Sequence, residues 1–315
     1  MMYPVGPVFL ARVIIEDIAG IRLIAMFVVL LIGLSLGYFA RHSFGVSESW
    51  AKTIMTASLA SFNWLITLFV IWQMTLSRQL IWLPIIGLIL MLAITVLSSF
   101  LFSFSNLDNK SRLTLILAGG LSNLGYTGGA FVCYAFFGTQ ALALANIYPA
   151  FWEPFVYLVF FPLFRMYELR ENGTRVKFSL SNMLDVRFMG IPAVIAAVIL
   201  NITTDGPPAF VNRIHLIDIF IYTASALAFF AIGLGIKLSN LKNYISLFFS
   251  LSAVKFILTP IVALLIVWLL TLTGINLSGL VQKTIIVQSL TPSAVMMVTM
   301  SNVFSLNRCW QALFG

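Results

Sequence analysis

The chain has 315 residues, 61% hydrophobic and only 9% charged, with a mean hydropathy of +1.03, which excludes an ordinary water-soluble globular protein and reads as an integral membrane protein. Its net charge of +8 comes from basic residues lying between apolar runs, so it fits residues that set membrane topology rather than a nucleic-acid surface. Cys133 and Cys309 have no ligand spacing around them, which excludes a disulfide framework or zinc site, and Arg12, Glu16, Asp17 and Arg22 speak against a removable signal peptide.

Nine apolar spans are expected, and the chain is all-α. The first, about 21–40, carries Gly33-Leu-Ser-Leu-Gly37, a small-residue face for close helix packing. The second, about 51–76, has Asn63 in its middle; the third, about 81–104, is plain Leu/Ile/Phe apart from Pro84. The fourth, about 113–137, contains Ala118-Gly-Gly-Leu-Ser-Asn-Leu-Gly-Tyr-Thr-Gly-Gly129, with five glycines in twelve residues. Each glycine costs a helix about 1 kcal/mol relative to alanine. Backbone groups freed in hydrocarbon need protein or a water-filled cavity to satisfy them, so this run reads as a deliberate break at membrane depth. The fifth span, about 141–164, holds Trp152-Glu153-Pro154.

A polar segment with Arg165, Arg170, Arg175, Lys177 and Arg187 then divides the chain. Spans six to eight follow at about 188–202, 214–236 and 245–272, the last containing Lys255 and Pro260. The ninth, about 280–304, is interrupted by Gln288-Ser-Leu-Thr-Pro-Ser-Ala294, where proline opens the helical ladder. A tenth span is expected to be missing or truncated.

Equivalent points in the two halves keep a nearly constant offset: Trp50 to Ile214 is 164 residues, Arg22 to Arg187 is 165, and Asn123 to Pro292 is 169. A repeat of five spans follows, with residues 1–164 as the first copy, 165–187 as a linker and 188–315 as an incomplete second copy. An odd number of spans inverts the second copy, and paired interrupted spans are the sequence pointer to a transporter's solute site. With the N-terminus outside, 12 Lys and Arg lie in inner segments and 5 in outer ones, as the positive-inside rule requires. The linker is then cytoplasmic.

Three places resemble the auxin efflux carrier family of membrane permeases. Gly37-Tyr38 with Arg41 is similar to the end of that family's first span, Leu124-Gly125 followed by Phe136-Phe137-Gly138 to its fourth-span signature, and Pro292-Ser293-Ala294-Val295 to its ninth-span Pro-Ser-Ala-Val. Gly120, Thr127 and Met296 stand where the family has asparagine, proline and asparagine. The resemblance implies two inverted five-helix repeats whose broken helices 4 and 9 cross near the midplane, a fold related to bile acid/sodium symporter-like transporters. It also implies a bacterial inner-membrane location, a secondary-active permease for a small organic anion such as malate, malonate or an auxin-like acid, and a homodimer. No nucleic-acid partner and no cofactor is expected, and the coupling ion, H+ or Na+, stays open.

The candidate solute contacts are Ser122, Asn123, Gly125, Thr127, Gly128, Thr291, Pro292, Ser293, Lys255 and Asn63. The glycines and half-helix N-termini offer backbone N–H groups and positive dipole ends; the hydroxyls and amides either meet the solute or satisfy backbone freed by the breaks. Lys255, eleven residues after Tyr244, lies about 16 Å along its helix. A lysine that deep costs about 3 kcal/mol on insertion scales, so it either attracts a carboxylate or pairs structurally. Glu153 is the candidate proton carrier. His215 and Asp218 are expected at a membrane interface. Two rival readings are a non-transporting remnant or partner subunit, and an intramembrane protease with Ser122 in a Gly-x-Ser loop and His215 as base. The second lacks the motif's final glycine, and the expected class is not an enzyme.

Overall fold

The computed structural model describes residues 7–47, 49–105, 107–160, 190–236 and 245–294. Every regular element among them is helical. In chain order they are α1 (Pro7–Phe44), α2 (Ser49–Ser58), a π-helical turn (Leu59–Asn63) continuing into α3 (Trp64–Trp72), α4 (Trp82–Ser103) and α5 (Asn109–Gly120). Then come α6 (Gly129–Ile147), α7 (Trp152–Phe155) with a π turn (Val156–Phe160), α8 (Gly190–Thr203), α9 (Ala209–Arg213) and α10 (Leu216–Gly235). Last are α11 (Ile245–Ala253), a π turn (Val254–Leu258), α12 (Thr259–Leu272) and α13 (Gly279–Ser289).

Among the described residues five helical stretches are, by length and composition, long and apolar enough to cross a bilayer: Ala19–Phe44, Arg78–Ser103, Gly129–Ile147, Leu216–Gly235 and Ile245–Leu272, the third of them interrupted at Gly138. Their outward faces are oily. Ile24, Phe27, Leu31 and Phe39 on α1, and Ile261, Leu265, Trp268 and Leu272 on α12, all stand exposed. A stripe of that size is stable against lipid and not against water. The chain is a membrane protein.

The helices pack in two groups. In the first, α1 lies along α10, α2 packs on α10 and α3 on α8. Here the Gly33/Gly37 face does what its spacing suggests: a Cβ on Gly37 would strike the Phe230 carbonyl oxygen, and one on Gly233 the Leu34 carbonyl oxygen. The two backbones touch. Two polar side chains close helix ends in this group. Arg41 donates to Leu234 O at 2.8 Å at the end of α10, and Asn201 Nδ2 donates to Ile71 O, Trp72 O and Met74 O at 3.1, 2.7 and 2.7 Å, supplying donors to carbonyls that the end of α3 leaves orphaned.

In the second group α4 packs on α5 and α12, α13 on α6 and α12, and α7 on α4. Helix α6 touches both groups, meeting α1 and α3 as well as α13. Within it Gly138 has φ 76° and ψ −163°, a conformation L side chains rarely adopt, and two helical pieces meet there. The chain folds back at this point, because Ala145 and Asn146 return to the level of Leu124 and Tyr126: Gln288 Nε2 donates to both Leu124 O and Ala145 O, and Tyr126 Oη donates to Asn146 Oδ1. This reversal matches the expected gap between spans four and five.

Candidate functional site at the helix crossing

Helix α5 starts on an Asp108 cap, whose carboxylate accepts from Ser111 N at 3.1 Å, the ordinary way to satisfy a first-turn donor. The sequence places the break from Ala118 onward, yet α5 runs helical through Gly120. Gly119 and Gly120 serve packing instead: a Cβ on Gly120 would overlap Thr95 Oγ1 of α4, and one on Gly119 the Ser98 hydroxyl. A bulky residue at 120, such as the asparagine of the resembled family, would force α5 away from α4. The unwound segment is Leu121–Gly128, with Leu121 extended at φ −88° and ψ 115°.

On the other side α13 ends at Ser289, and Thr291–Ala294 runs extended past Leu121–Asn123. The two stretches pair antiparallel about Ser122 and Ser293. Asn123 N donates to Pro292 O at 2.9 Å and Ala294 N to Leu121 O at 3.0 Å. Each break satisfies peptide groups that the other has freed, which is the condition for irregular backbone at membrane depth.

Side chains complete the closure. Ser293 Oγ donates to Ala118 O at 2.8 Å, an orphan carbonyl at the end of α5, and Thr291 Oγ1 donates to Gln288 O at 2.9 Å, doing the same for α13. Asn123 and Thr127 bond reciprocally: Thr127 Oγ1 donates to Asn123 Oδ1 at 3.0 Å and Asn123 Nδ2 to Thr127 O at 3.2 Å. The first N–H groups of α6 are also used, Gly129 N donating to Asn123 O and Ala130 N to Leu124 O. For these residues the backbone-satisfying role expected as an alternative is the one the geometry displays. Gly125 and Pro292 are exposed, and Ser122, Asn123, Thr127, Gly128 and Ser293 are partly so, giving the crossing a polar mouth.

Beside it lies Lys255, 1% exposed. It sits on the π turn Val254–Leu258, where Thr259 N and Thr259 Oγ1 both donate to Val254 O, one residue beyond the α-helical register. Pro260 follows in the first turn of α12, inside the continuous helical stretch Ile245–Leu272, where its missing N–H takes one bond out of the ladder. Lys255 Nζ donates to Ser122 Oγ at 2.7 Å, Gly119 O at 3.1 Å and, at longer range, Leu121 O at 3.4 Å. Three acceptors match the three protons of an ammonium, and two of them are carbonyls at the negative end of the α5 dipole.

Around the crossing are groups that sequence reasoning passed over. Tyr126 Oη donates to Asn146 Oδ1 and, more weakly, to Asn63 O, at 3.1 and 3.4 Å. Thr67 Oγ1 donates to Asn146 Oδ1 at 3.1 Å, and Ser225 Oγ to Tyr126 O at 3.0 Å. This network ties the second helix group, through Tyr126 and Asn146, to the first, through Asn63, Thr67 and Ser225. Asn63 enters it by its carbonyl. A lone amide inside an apolar run was the available signal, and Asn146 and Gln288 both carry it.

A second polar cluster lies apart from the crossing. Tyr134 Oη donates to Asp218 Oδ1 at 2.6 Å, Arg22 lies 5.3 Å over the Tyr134 ring, and His215 Nδ1 is 3.2 Å from Asp218 Oδ2. His215 is 77% exposed and Asp218 33%, so both reach the periphery. Ser122 thus meets Lys255, and His215 meets Asp218. Glu153 falls in α7, but its side chain lies outside the described residues, as do residues 161–189 with the whole linker and 295–315 with Met296.

Compared with protein-family models and with curated proteins, the sequence matches none.

Proposed function

We propose that this chain is a secondary-active membrane carrier of a small organic anion, with the solute site at the mouth of the crossing. The observation that carries the reading is the mutual backbone pairing of the non-helical stretches after α5 and after α13 beside a buried lysine. Unwound, paired half-helices near the midplane are how such carriers hold solutes and ions. The ammonium of Lys255 and the N-terminal dipole of α6 supply fixed positive potential. Because the Lys255 protons are taken by protein oxygens, the direct contacts fall to the partly exposed Ser122, Asn123, Thr127 and Asn63. The two helix groups are the parts that move against each other, α6 lies between them, and the two halves are inverted repeats as in the resembled auxin efflux carriers. The N-terminus lies outside, with the basic linker in the cytoplasm.

Uptake of labelled malate, malonate and indole acetate into proteoliposomes, at several imposed pH gradients with and without sodium, tests the proposal. Uptake of one of these acids, competed by unlabelled acid, is expected; no uptake of any carboxylate under any gradient overturns it. If Glu153 carries the coupling proton, Glu153→Gln abolishes dependence on the pH gradient.

A second reading draws on the 2.7 Å contact between Ser122 and Lys255. A serine hydroxyl beside a lysine amine is the nucleophile and base pair of Ser-Lys hydrolases. An alkyl fluorophosphonate reporter labels Ser122 under that reading and leaves the protein unlabelled under the carrier reading.

A further inference from the structure

We infer that Lys255 is a tethered cation seated in a monovalent-cation site, and that the same oxygens bind a free sodium ion once the lysine side chain is removed. The inference rests on the crossing itself and stands independently of which solute, if any, is carried.

The ligands of the ammonium are all oxygens: one hydroxyl, Ser122 Oγ, and two peptide carbonyls, Gly119 O and Leu121 O. Among the described residues no carboxylate lies within ion-pair distance of it. A buried ammonium with no anionic partner carries a desolvation penalty of several kcal/mol. What offsets it here is the C-terminal end of α5, where carbonyls beyond the reach of helical donors gather about half a negative charge. Neutral hydroxyl and carbonyl oxygens around a single positive charge are the donor set suited to hard cations.

The local helix geometry singles out the position. The lysine is carried on a π turn, and such one-residue widenings inside helices are found mostly at functional sites. Glycine at 119 and 120 allows α5 to approach Ser98 and Thr95 of α4 closely, and Gly119 also faces Val254, the neighbour of Lys255. Ser293 takes the adjacent carbonyl, Ala118 O, Ala294 N takes one position on Leu121 O, and Gly119 O is bonded by the ammonium. Chain, helix end and hydroxyl therefore build a place for one positive charge, and the lysine fills it. The wild-type protein accordingly needs no free sodium at the crossing.

The test is thermal unfolding of the purified full-length protein in detergent, in sodium, lithium, potassium or choline chloride at equal ionic strength. Wild type and Lys255→Arg are expected to unfold at the same temperature in all four. Lys255→Ala is expected to gain about 5 °C in saturating sodium or lithium over choline, the size of shift that a ligand binding only the folded state produces. Adding Ser122→Ala to Lys255→Ala removes one ligand and should weaken the apparent sodium affinity about tenfold, the cost of about 1.4 kcal/mol in binding. The inference is overturned if Lys255→Ala shows no sodium shift, if wild type shifts equally, or if the double variant keeps the affinity of the single one. Failure of Lys255→Ala to fold in every salt, while Lys255→Arg folds, also overturns it. Because the readout is stability, a negative result here leaves the uptake test of the carrier reading untouched.

Discussion

Where α1 meets α10, the chain brings two intact helices together until backbone touches backbone, with Gly37 against Phe230 and Gly233 against Leu34. Where α5 meets α13, it unwinds both and lets peptide groups bond across the gap, Asn123 to Pro292 and Ala294 to Leu121. The first interface leaves both helices wound and is built from close van der Waals contact, the usual basis of helix association in lipid, with the Arg41 donation to Leu234 O at its end. The second gives up helical bonds and recovers them from peptide groups across the gap and from serine, threonine, asparagine and lysine side chains. Rigid packing is cheap to build in a membrane, whereas exposed peptide is costly and is retained where it has chemistry to do.

Substitutions separate the two regions. The largest effect is expected at the crossing: Lys255→Met, in sodium-free buffer, leaves Gly119 O and Ser122 Oγ without their charged donor and should cost about 2 to 3 kcal/mol, since hydrogen bonds to charged groups are worth about that much. It should also reduce carboxylate uptake to background. Gly37→Val comes next. Its Cβ meets the Phe230 carbonyl, and an overpacked contact of this kind costs about 2 kcal/mol, read by unfolding in a denaturing detergent. Its KM for the transported acid should stay unchanged. A KM shift as large as that of a crossing variant would mean that the two regions are one unit.

Smaller effects sharpen the contrast. Asn201→Leu removes the donor shared by Ile71, Trp72 and Met74 carbonyls and should cost about 1 to 2 kcal/mol through the orphaned end of α3, again with KM unchanged. Ser293→Ala, which frees Ala118 O, should cost about 1 kcal/mol yet alter KM severalfold, because it loosens the pairing at the mouth. Equal KM in Ser293→Ala and wild type would remove Ser293 from the solute site.

Much of the architecture was legible beforehand, for reasons that differ from element to element. Apolar runs of bilayer length are visible in composition, so the long helices and the reversal between spans four and five followed directly. The glycine cluster marked the break between α5 and α6, and the proline cluster marked the end of α13. Their limits were less readable, because Gly119 and Gly120 carry the same letter whether they unwind a helix or let it lie close to Thr95 and Ser98. The Tyr126–Asn146–Thr67 network was hidden, since its members are distant in the chain and meet only after Gly138 turns it back.

What the amino-acid order determined by itself is local: which stretches are oily, where a helix must open, and that one lysine lies too deep to be ordinary. Only the folded chain decided what that lysine touches, because its partners come from a segment 133 to 136 residues away and their direction depends on a π turn and on the end of another helix. A hydrogen bond between distant segments is a matter of angle and of distances within about 3.5 Å. Hydrophobic periodicity does not encode it.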